Sequence, residues 1–381
     1  MGLSCGRGRE RIMARSLIVS LGDRSYPVYM GNGIVSTPDF AEKVGAVTGE
    51  NSLLIVADSN TYPHAKAIAQ TLKKGGIRVA GIHRFHAGEA YKTLSTVEGI
   101  CNAAAKARLD RNSVFMAVGG GVCGDLTGFA SAIYMRGTKF IQIPTTILAM
   151  ADSSVGGKTG ADLPSGKNLV GAFHQPQAVF MDFSLLATLE CDTMLEGYAE
   201  VIKTAALFDG EFFSFLEKNA LSLIGGKDLD ATEEALYRSC SWKAKIVAMD
   251  EKESSCRALL NYGHTFGHAL ETLDGYNDMA HGYAVSVGMC CASHLAELLG
   301  RQDHKDSERL RQLLVIFNHP VTVAERFVSG EILTAMKHDK KAAHGKLRFI
   351  LPKGIGKAEI VGDIPEKLLL KALDMTRIDH D

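Results

Sequence analysis

Apolar and polar positions alternate in short blocks along the first half of the chain. Residues 114–118 are apolar throughout, which is typical of a strand buried on both faces of a parallel sheet. Strands are predicted at 16–21, 26–30 (its hairpin partner), 53–57, 79–86, 114–118 and 140–143, and helices at 64–74, 94–107 and 119–132. This alternation predicts βαβ units around a parallel sheet.

The pattern changes near Leu185, after which strand-like runs become rare. Amphipathic helices are predicted at 195–207, 212–223, 231–249, 265–273 and 284–299, with a strand-like return at 347–351. The predicted fold class is α/β, with a Rossmann-like parallel-sheet domain over residues 16–182 and a mainly α-helical domain over 183–381. Residues 1–15 are predicted to be a disordered extension.

The composition is that of an ordinary globular protein and argues against several other classes of protein. The 381 residues are 46% hydrophobic with a formal net charge of -1, which argues against a nucleic-acid surface. No apolar run reaches the roughly 18 residues of a membrane span, and the first residues lack the apolar core of a secretory signal. The eight cysteines include no CxxC pair, so we expect reduced thiols and a cytoplasmic location.

A glycine-rich turn follows the apolar run at 114–118. Gly119, Gly121 and Gly124 fit the G-x-G-x-x-G pattern between a strand and a helix, which is typical of dinucleotide binding. The acidic residue usual about 20 positions later is missing, since Lys139 lies near there. Asp58, at the end of an earlier strand, is an alternative partner for a ribose. A tight turn without a ligand remains the competing interpretation.

The segment 144–168 is rich in Ser, Thr and Gly and contains Lys158 and Lys167. Hydroxyl groups, backbone amides and ammonium groups together suit a phosphate. G-G-K-T is similar to a P-loop, but the first Gly of that motif is absent, which disfavours a nucleotide triphosphatase. The competing interpretation is a long surface loop with solvated lysines.

Histidines and one acid form the second chemical pattern. His264 and His268 are four residues apart in a predicted helix and so share a face, and His281 follows. Glu200 and Lys203 lie one turn apart in an earlier helix. One carboxylate and two imidazoles suit a catalytic zinc with an open position. Spacing leaves open which two histidines bind, and Glu200 and Lys203 by themselves would form a surface ion pair.

Several cationic residues precede these histidines in the sequence. Lys243, Arg257 and Asn261 precede them, and if the helix starts early enough Arg257 and Asn261 share one polar stripe with His264. Lys340 and Lys341 add charge near the C-terminus. Such a site favours a phosphorylated or carboxylated substrate, and solvated surface charge is the alternative.

These runs together resemble the 3-dehydroquinate synthase family of sugar phosphate cyclases. The matching motifs occur in the family's order from about residue 16: G-G-G-V-C-G-D-L-T-G-F, Y-M-R-G, P-T-T-I-L-A, D-S-S-V-G-G-K-T-G, G-K-N-L-V-G-A-F-H-Q-P, A-E-V-I-K, R-A-L-L-N-Y-G-H-T-F-G-H-A-L-E, H-G and D-K-K.

The resemblance implies an NAD-binding α/β domain, a helical metal- and substrate-binding domain, and an active site in the cleft between them. It implies a zinc or cobalt ion held by Glu200, His264 and His281. Substrate contacts and catalysis are implied for Arg136, Asp152, Lys158, Asn168, Lys203, Lys243, Arg257, Asn261, His268, Lys340 and Lys341. NAD contacts are implied for Asp58, Asn60, Glu89, Lys92, Gly119, Gly120, Gly121, Val122, Gly124, Asp125, Thr145, Thr146, Lys158, Lys167 and Thr188.

The implied reaction converts 3-deoxy-D-arabino-heptulosonate 7-phosphate to 3-dehydroquinate and phosphate. It runs through transient oxidation by NAD, phosphate elimination, re-reduction and an intramolecular aldol step, with His268 shuttling a proton. The resemblance also implies a homodimer. The alternatives are another sugar phosphate cyclase, an NAD-dependent polyol dehydrogenase and a non-catalytic protein on the same scaffold.

Two positions depart from the family pattern. Tyr283 replaces the Glu of H-G-E-A-V, which bears on the surroundings of His281, and the segment around Thr193 lacks the family's Pro-x-Arg-Glu. Relatives that cyclise sedoheptulose 7-phosphate or glucose 6-phosphate, which lack the carboxylate, tend to alter the carboxylate site. Lys243, Arg257 and Asn261 are intact here, which favours dehydroquinate synthesis.

Overall fold

The computed structural model describes residues 15–226, 228–275, 279–338 and 347–377. Its chain divides into two compact units. Their described parts are 15–18, Tyr26–Thr145 and Thr159–Ala187 in the first, and Val19–Ser25, Thr146–Lys158 and the residues from Thr188 to 377 in the second. The helical unit thus also contains two short segments from the part of the chain assigned to the sheet domain. The predicted boundary at residue 182 stays a prediction.

The first unit is built on a seven-stranded sheet in the order β1-β2-β9-β6-β5-β3-β4. Its strands are β1 (Arg15–Val19), β2 (Tyr26–Gly31), β3 (Leu53–Asp58), β4 (Val79–Phe85), β5 (Val114–Gly119), β6 (Lys139–Pro144) and β9 (Ala178–Asp182). The pairs β2–β9, β9–β6, β6–β5, β5–β3 and β3–β4 are parallel. The predicted α/β parallel sheet is confirmed.

Within the described residues, four α-helices belong to this unit and explain why β5 is apolar at every position. They are α1 (Pro38–Thr48), α2 (Tyr62–Lys74), α3 (Leu94–Lys106) and α4 (Gly121–Ile133). One buried cluster joins α1 and α2 to Met116 and Val118, and another joins α3 and α4 to Phe115 and Ala117. Successive residues of β5 therefore enter different cores, as a strand with a side-chain period of two requires.

The segment at 144–168 is not the long loop of the competing interpretation. It contains a π-helical turn at Ala149–Ser153 and then the hairpin strands β7 (Lys158–Leu163) and β8 (Gly166–Phe173). Thr159 Oγ1 donates a hydrogen bond of 2.8 Å to the Ala172 carbonyl across the hairpin. Sequence reasoning missed these strands because a Ser- and Gly-rich composition has no apolar alternation to signal them.

The second unit is mainly helical, as predicted. Its helices are α5 (Cys191–Phe208), α6 (Gly210–Ile224), α7 (Leu229–Met249), α8 (His264–Leu273), α9 (His281–Leu298), α10 (His304–Ile316), α11 (Ser329–His338) and α12 (Glu366–Met375). The strands β10 (Arg348–Pro352) and β11 (Ala358–Gly362) form an antiparallel pair. Within the described residues no helix has the length and apolar character needed to cross a membrane.

Helices α8 and α9 pack backbone against backbone at glycines. A Cβ atom at Gly288 would lie 2.0 Å from the carbonyl oxygen of Gly263, and one at Gly267 would lie 3.0 Å from the Ala284 carbonyl oxygen. Gly263, the N-cap residue of α8, also has φ of +78°. This left-handed conformation favours glycine. This contact fixes the relative positions of His264 and His281, the first residues of the two helices.

Candidate metal and substrate site

The first residues of α8 and α9 meet the middle of α5. His264 Nε2 lies 3.7 Å from Glu200 Oε1, and His281 Nε2 lies 3.9 Å from the same oxygen. One ligand atom from each of the three residues lies within 4.8 Å of the others. Three distant stretches of sequence are therefore brought to one point, as the predicted metal site requires.

Glu200 is buried, so the competing interpretation of a surface ion pair with Lys203 is wrong. Both side chains are only 2% exposed, and the Lys203 ammonium forms an ion pair with the carboxylate. Apart from this ion pair, neither carboxylate oxygen of Glu200 has a hydrogen-bond partner among the described residues. A buried carboxylate without hydrogen bonds is costly unless a cation compensates it. This donor set fits a divalent ion of the zinc type.

The two imidazoles of the cluster are oriented through their second nitrogens. His264 Nδ1 lies 3.0 Å from the carbonyl oxygen of Tyr262, and His281 Nδ1 lies 3.4 Å from Glu271 Oε1. Both oxygens accept, so each Nδ1 donates, and Nε2 is left as the ligand atom on the Glu200 side. Burial lowers the pKa of His281, but hydrogen bonding and charge from Glu271, with the charge of Glu200, raise it overall.

A second group of possible ligands overlaps the first. Ligand atoms of His268, Glu271 and His281 also lie within 4.8 Å of one another. The His268 ring centroid is 5.3 Å from that of His264 and 6.3 Å from that of His281. Sequence reasoning did not single out Glu271, although its position three residues after His268 on one helix was a usable signal.

Lysines surround Asp152 beside the buried ion pair. Lys243 Nζ, on α7, lies 2.5 Å from Asp152 Oδ1. Burial raises the pKa of Asp152, but Lys243, Lys203 and Lys158 together hold it well below the usual range. The pKa of Lys243 is lowered, because burial and the neighbouring Arg257 and Lys203 outweigh the attraction of Asp152. Three lysines therefore act on the one carboxylate of Asp152.

Arg257 and Asn261 lie outside helix α8. They belong to a 3₁₀ segment at Cys256–Asn261, and α8 starts only at His264, so the single helical stripe of the early-start expectation is wrong. The left-handed Gly263 separates this 3₁₀ segment from α8. Arg257 is 2% exposed and donates to the carbonyl oxygens of Glu251 and, at 3.1 Å, Gly156.

Acidic residues that sequence reasoning missed support this segment. Asp250 accepts hydrogen bonds from the backbone amides of Ser254, Ser255 and Arg257 at 2.7–3.0 Å. Glu253, which has a left-handed φ of 58°, forms an ion pair with Lys158 and accepts from Asn261 Nδ2 at 2.5 Å. Both acids were hidden in the polar run D-E-K-E-S-S, which gives no spacing signal.

Comparison with known proteins decides the family. The family model described as 3-dehydroquinate synthase N-terminal matches residues 82–196. The model described as 3-dehydroquinate synthase C-terminal matches residues 197–342. A 3-dehydroquinate synthase of Rhodopirellula baltica is 44% identical over 367 residues, covering 94% of this chain and 96% of that protein. The chain belongs to the 3-dehydroquinate synthase family.

Two solved structures of sugar phosphate cyclases are similar to this member of the family. One is 2-epi-5-epi-valiolone synthase from Streptomyces hygroscopicus subsp. jinggangensis with bound NAD+ and Zn2+, at 26% identity and a TM-score of 0.85, covering 94% of this chain and 98% of that one. The other is 2-deoxy-scyllo-inosose synthase with carbaglucose-6-phosphate, NAD+ and Co2+, at 26% identity and a TM-score of 0.84, covering 95% and 100%.

The glycine-rich turn of the family lies where predicted, between β5 and α4. A Cβ atom at Gly124 would lie 2.7 Å from Gln142 Oε1, so the buried Gln142 side chain packs closely against α4 at this glycine. Asp58 Oδ1 accepts from the amides of Asn60 and Thr61 at 2.8 and 2.9 Å, which shapes the turn after β3. The remaining predicted residues of this turn are Gly119, Gly120, Gly121 and Val122.

Lys92 links residues of the first unit that were assigned separately to cofactor and substrate. Its ammonium lies 2.7 Å from Asp125 Oδ2 on α4 and 2.6 Å from Asn168 Oδ1 on β8. Burial lowers the pKa of Lys92, but Asp125 and Glu89 raise it overall. Lys167 Nζ lies 3.8 Å from Glu89 Oε1. A predicted substrate residue, Asn168, is therefore held by a predicted cofactor residue, Lys92.

The other predicted residues occupy turns. Thr145 follows β6 and its amide donates to the Gly119 carbonyl at 3.0 Å, whereas Thr146 Oγ1 accepts from Ala149 at the start of the π-helical turn. Thr188 ends a 3₁₀ segment at Phe183–Thr188. Arg136 has a left-handed φ of 66°. Lys340 and Lys341 lie outside the described residues.

The two departures from the family pattern are neighbours in space. The Tyr283 ring packs edge-on against His319 at 5.5 Å between centroids. Burial raises the pKa of Tyr283, and the charges of Asp192 and Glu196 raise it further. Both acids belong to the same first turns of α5 that hold Thr193. Tyr283 therefore lies near the segment around Thr193.

Proposed function

We propose that this chain is a 3-dehydroquinate synthase that converts 3-deoxy-D-arabino-heptulosonate 7-phosphate to 3-dehydroquinate and phosphate in the shikimate pathway. The observation that carries the proposal is the buried Glu200 carboxylate, which faces two imidazoles and has no hydrogen-bond partner among the described residues besides its ion pair with Lys203. Family membership, through a relative 44% identical over almost the full length of both chains, supports the choice of reaction.

The cofactors of the proposal are NAD and a divalent metal ion. Glu200, His264 and His281 would hold the metal, either zinc or cobalt, and the turn after β5 would hold NAD together with Asp58 and Lys92. When bound, the nicotinamide supplies a reversible hydride acceptor and the metal ion a Lewis acid for substrate oxygens. The two similar solved structures, which contain NAD+ with Zn2+ or Co2+, support this pair.

The residues of the chain itself bind the substrate and move its proton. Lys203, Lys243 and Arg257 offer buried cations for the substrate carboxylate and phosphate. Asp152 keeps its negative charge between these lysines and so orients the Lys243 ammonium. The imidazole of His268, next to His264 on the same helix, is the proposed carrier of the proton on the substrate hydroxyl.

The proposed assay mixes the protein with NAD, zinc and the heptulosonate phosphate and follows inorganic phosphate and NADH together. A lyase that regenerates its cofactor releases phosphate without accumulating NADH. Accumulating NADH would instead indicate a polyol dehydrogenase, and the absence of both signals would indicate a non-catalytic protein. A Glu200→Gln variant in the same mixture is the control for metal-dependent turnover.

A second candidate is a different cyclase of the same superfamily, since the two similar solved structures act outside dehydroquinate synthesis by their names. Sedoheptulose 7-phosphate and glucose 6-phosphate, which lack the carboxylate, are tested at matched concentrations. Faster turnover of either than of the heptulosonate phosphate would contradict the first proposal. The buried Arg257 guanidinium favours a substrate with a carboxylate.

The homodimer and the cytoplasmic location belong to the same proposal. Both are inferred from the family and from cysteine usage, and every cysteine among the described residues is a free thiol. Sedimentation equilibrium of the purified chain and fractionation of expressing cells test the two statements separately.

A further inference from the structure

Glu271 is the one carboxylate that the described structure brings to the far nitrogen of a predicted metal ligand. It lies on α8, is 2% exposed, and its Oε1 is 3.4 Å from His281 Nδ1. An ionised group this deeply buried costs free energy unless it has a specific partner.

The two ring nitrogens of His281 face two different carboxylates. Its Nε2 faces Glu200 at 3.9 Å and its Nδ1 faces Glu271 at 3.4 Å. The neighbouring His264 has the same arrangement with a backbone acceptor, since its Nδ1 lies 3.0 Å from the Tyr262 carbonyl oxygen. An imidazole that binds a metal through one nitrogen is oriented by the acceptor of the proton on the other.

We propose that Glu271 is a positioning residue that accepts the Nδ1 proton of His281, keeps Nε2 directed at the metal position and so sets the metal affinity. This inference rests on the metal site of the proposed function. A backbone carbonyl cannot be changed by substitution, but the charged carboxylate that accepts from His281 can be replaced by a neutral amide, which is a weaker acceptor.

The overlapping group of His268, Glu271 and His281 provides a competing interpretation of the same atoms. There, Glu271 would itself be a metal ligand and the chain would bind a second ion. The two interpretations differ in stoichiometry, because an acceptor changes the affinity of one ion, whereas a ligand changes the number of ions bound.

The test measures binding of zinc alone to the full-length apoprotein, prepared by chelation, in competition with a chromophoric chelator. For Glu271→Gln we expect one ion per chain and a 10- to 100-fold weaker affinity than in the wild type. The visible absorption of the cobalt-loaded variant should also change, because the His281 ring is less well oriented. A purely structural role of Glu271 would change thermal stability without changing the cobalt spectrum.

Glu297→Gln is the matched control. Glu297 accepts from His304 at 3.2 Å and lies toward the other end of α9, about 24 Å along the helix from His281. The same carboxylate-to-amide change there should leave zinc affinity and the cobalt spectrum unchanged. If Glu271→Gln does not fold, Glu271→Asp replaces it, since the shorter side chain withdraws the carboxylate from Nδ1 and should also weaken binding.

Three results would overturn the inference. Wild-type zinc affinity with an unchanged cobalt spectrum in the folded Glu271 variant would show that its carboxylate does not position His281. Two ions in the wild type and one in the variant would make Glu271 a ligand. Wild-type affinity in Glu200→Gln and His264→Ala would refute the ligand set itself, whereas weak binding there with normal binding in the Glu271 variant would refute only this inference.

Discussion

Glu200 and Lys203 illustrate how burial changes the meaning of a residue pair. One turn apart on an exposed helix face, they would contribute a few tenths of a kcal/mol. Here both are 2% exposed, so each depends on the other for compensation of its charge. A divalent ion at the same carboxylate would provide additional compensation. The pair therefore links stability to metal binding.

Lys203→Met should destabilise the metal-free protein by about 3–5 kcal/mol, because it leaves the buried Glu200 carboxylate without its cation. Added zinc should raise the melting temperature more in this variant than in the wild type, since the metal replaces the lost charge. Differential scanning calorimetry with and without zinc measures both effects. Lys337→Met, at a solvent-exposed pair with Glu366, is the control and should change stability by less than about 0.5 kcal/mol. Equal zinc stabilisation in wild type and Lys203→Met would contradict the coupling.

At the scale of elements, the site depends on how closely α8 approaches α9. The approach is a contact between backbones at Gly263, Gly267 and Gly288, with no room for a side chain at the last of these. Each helix contributes its first residue to the metal cluster. Separation of the two helices would therefore separate the predicted ligands.

Gly288→Ala should lower both stability and zinc affinity, because its Cβ would lie 2.0 Å from the Gly263 carbonyl oxygen and the helices must move apart. A cost of roughly 1–3 kcal/mol is expected for such overpacking. Gly330→Ala on α11 is the control: no atom lies within 4 Å of its new Cβ, so the protein should gain up to about 1 kcal/mol. Urea titration and zinc competition measure the two properties. Wild-type values for Gly288→Ala would show that this contact does not set the ligand positions.

The β7–β8 hairpin depends on Lys92, which joins it to α4 through Asn168 and Asp125. Lys92→Met should increase amide hydrogen exchange in 166–173, because the hairpin loses a buried contact and Asp125 loses its cation. Lys139→Met is the control, since that ammonium contacts only the Val47 carbonyl among the contacts described for it and is largely exposed. Unchanged exchange in 166–173 would mean that Lys92 does not hold the hairpin.

At the scale of the whole molecule, buried acids make stability depend on pH. The pKa of Asp152 is lowered by its surrounding lysines, and burial of Asp250 is outweighed by backbone hydrogen bonds from Arg257, Ser254 and Ser255, which lower its pKa. In the unfolded chain both return to about 3.9. The folded state therefore binds fewer protons than the unfolded state around that value. This stabilisation is complete above about pH 5 and is lost as the pH falls through and below 4.

The urea midpoint of the second unit should therefore fall between pH 5 and pH 3, and more steeply in the wild type than in Asp250→Asn. That variant should also be less stable at pH 7, by about 2 kcal/mol, because it loses hydrogen bonds to a charged acceptor. Trp242, the single tryptophan of the chain, lies on α7 and reports unfolding of this unit by fluorescence. Asp374→Asn, at an exposed carboxylate on α12, is the control and should follow the wild-type profile. Parallel profiles for wild type and Asp250→Asn would show that Asp250 does not contribute to the loss of stability at low pH.

The sequence by itself determined the elements with strong local patterns and the family to which the chain belongs. The apolar run of β5, its glycine turn and the helix carrying His264 and His268 are all local signals, because side-chain period and turn chemistry act over a few residues. The order of the matching motifs added the family resemblance.

Only the tertiary structure decided which groups meet and how deeply they are buried. The burial of Glu200, the role open to Glu271 at His281, the 3₁₀ position of Arg257 and the acids Asp250 and Glu253 have no local signal. Each depends on packing between elements far apart in the chain, such as the glycine contact of α8 with α9. Burial and pairing are properties of that packing, and they determine the charge state and the chemistry of the site.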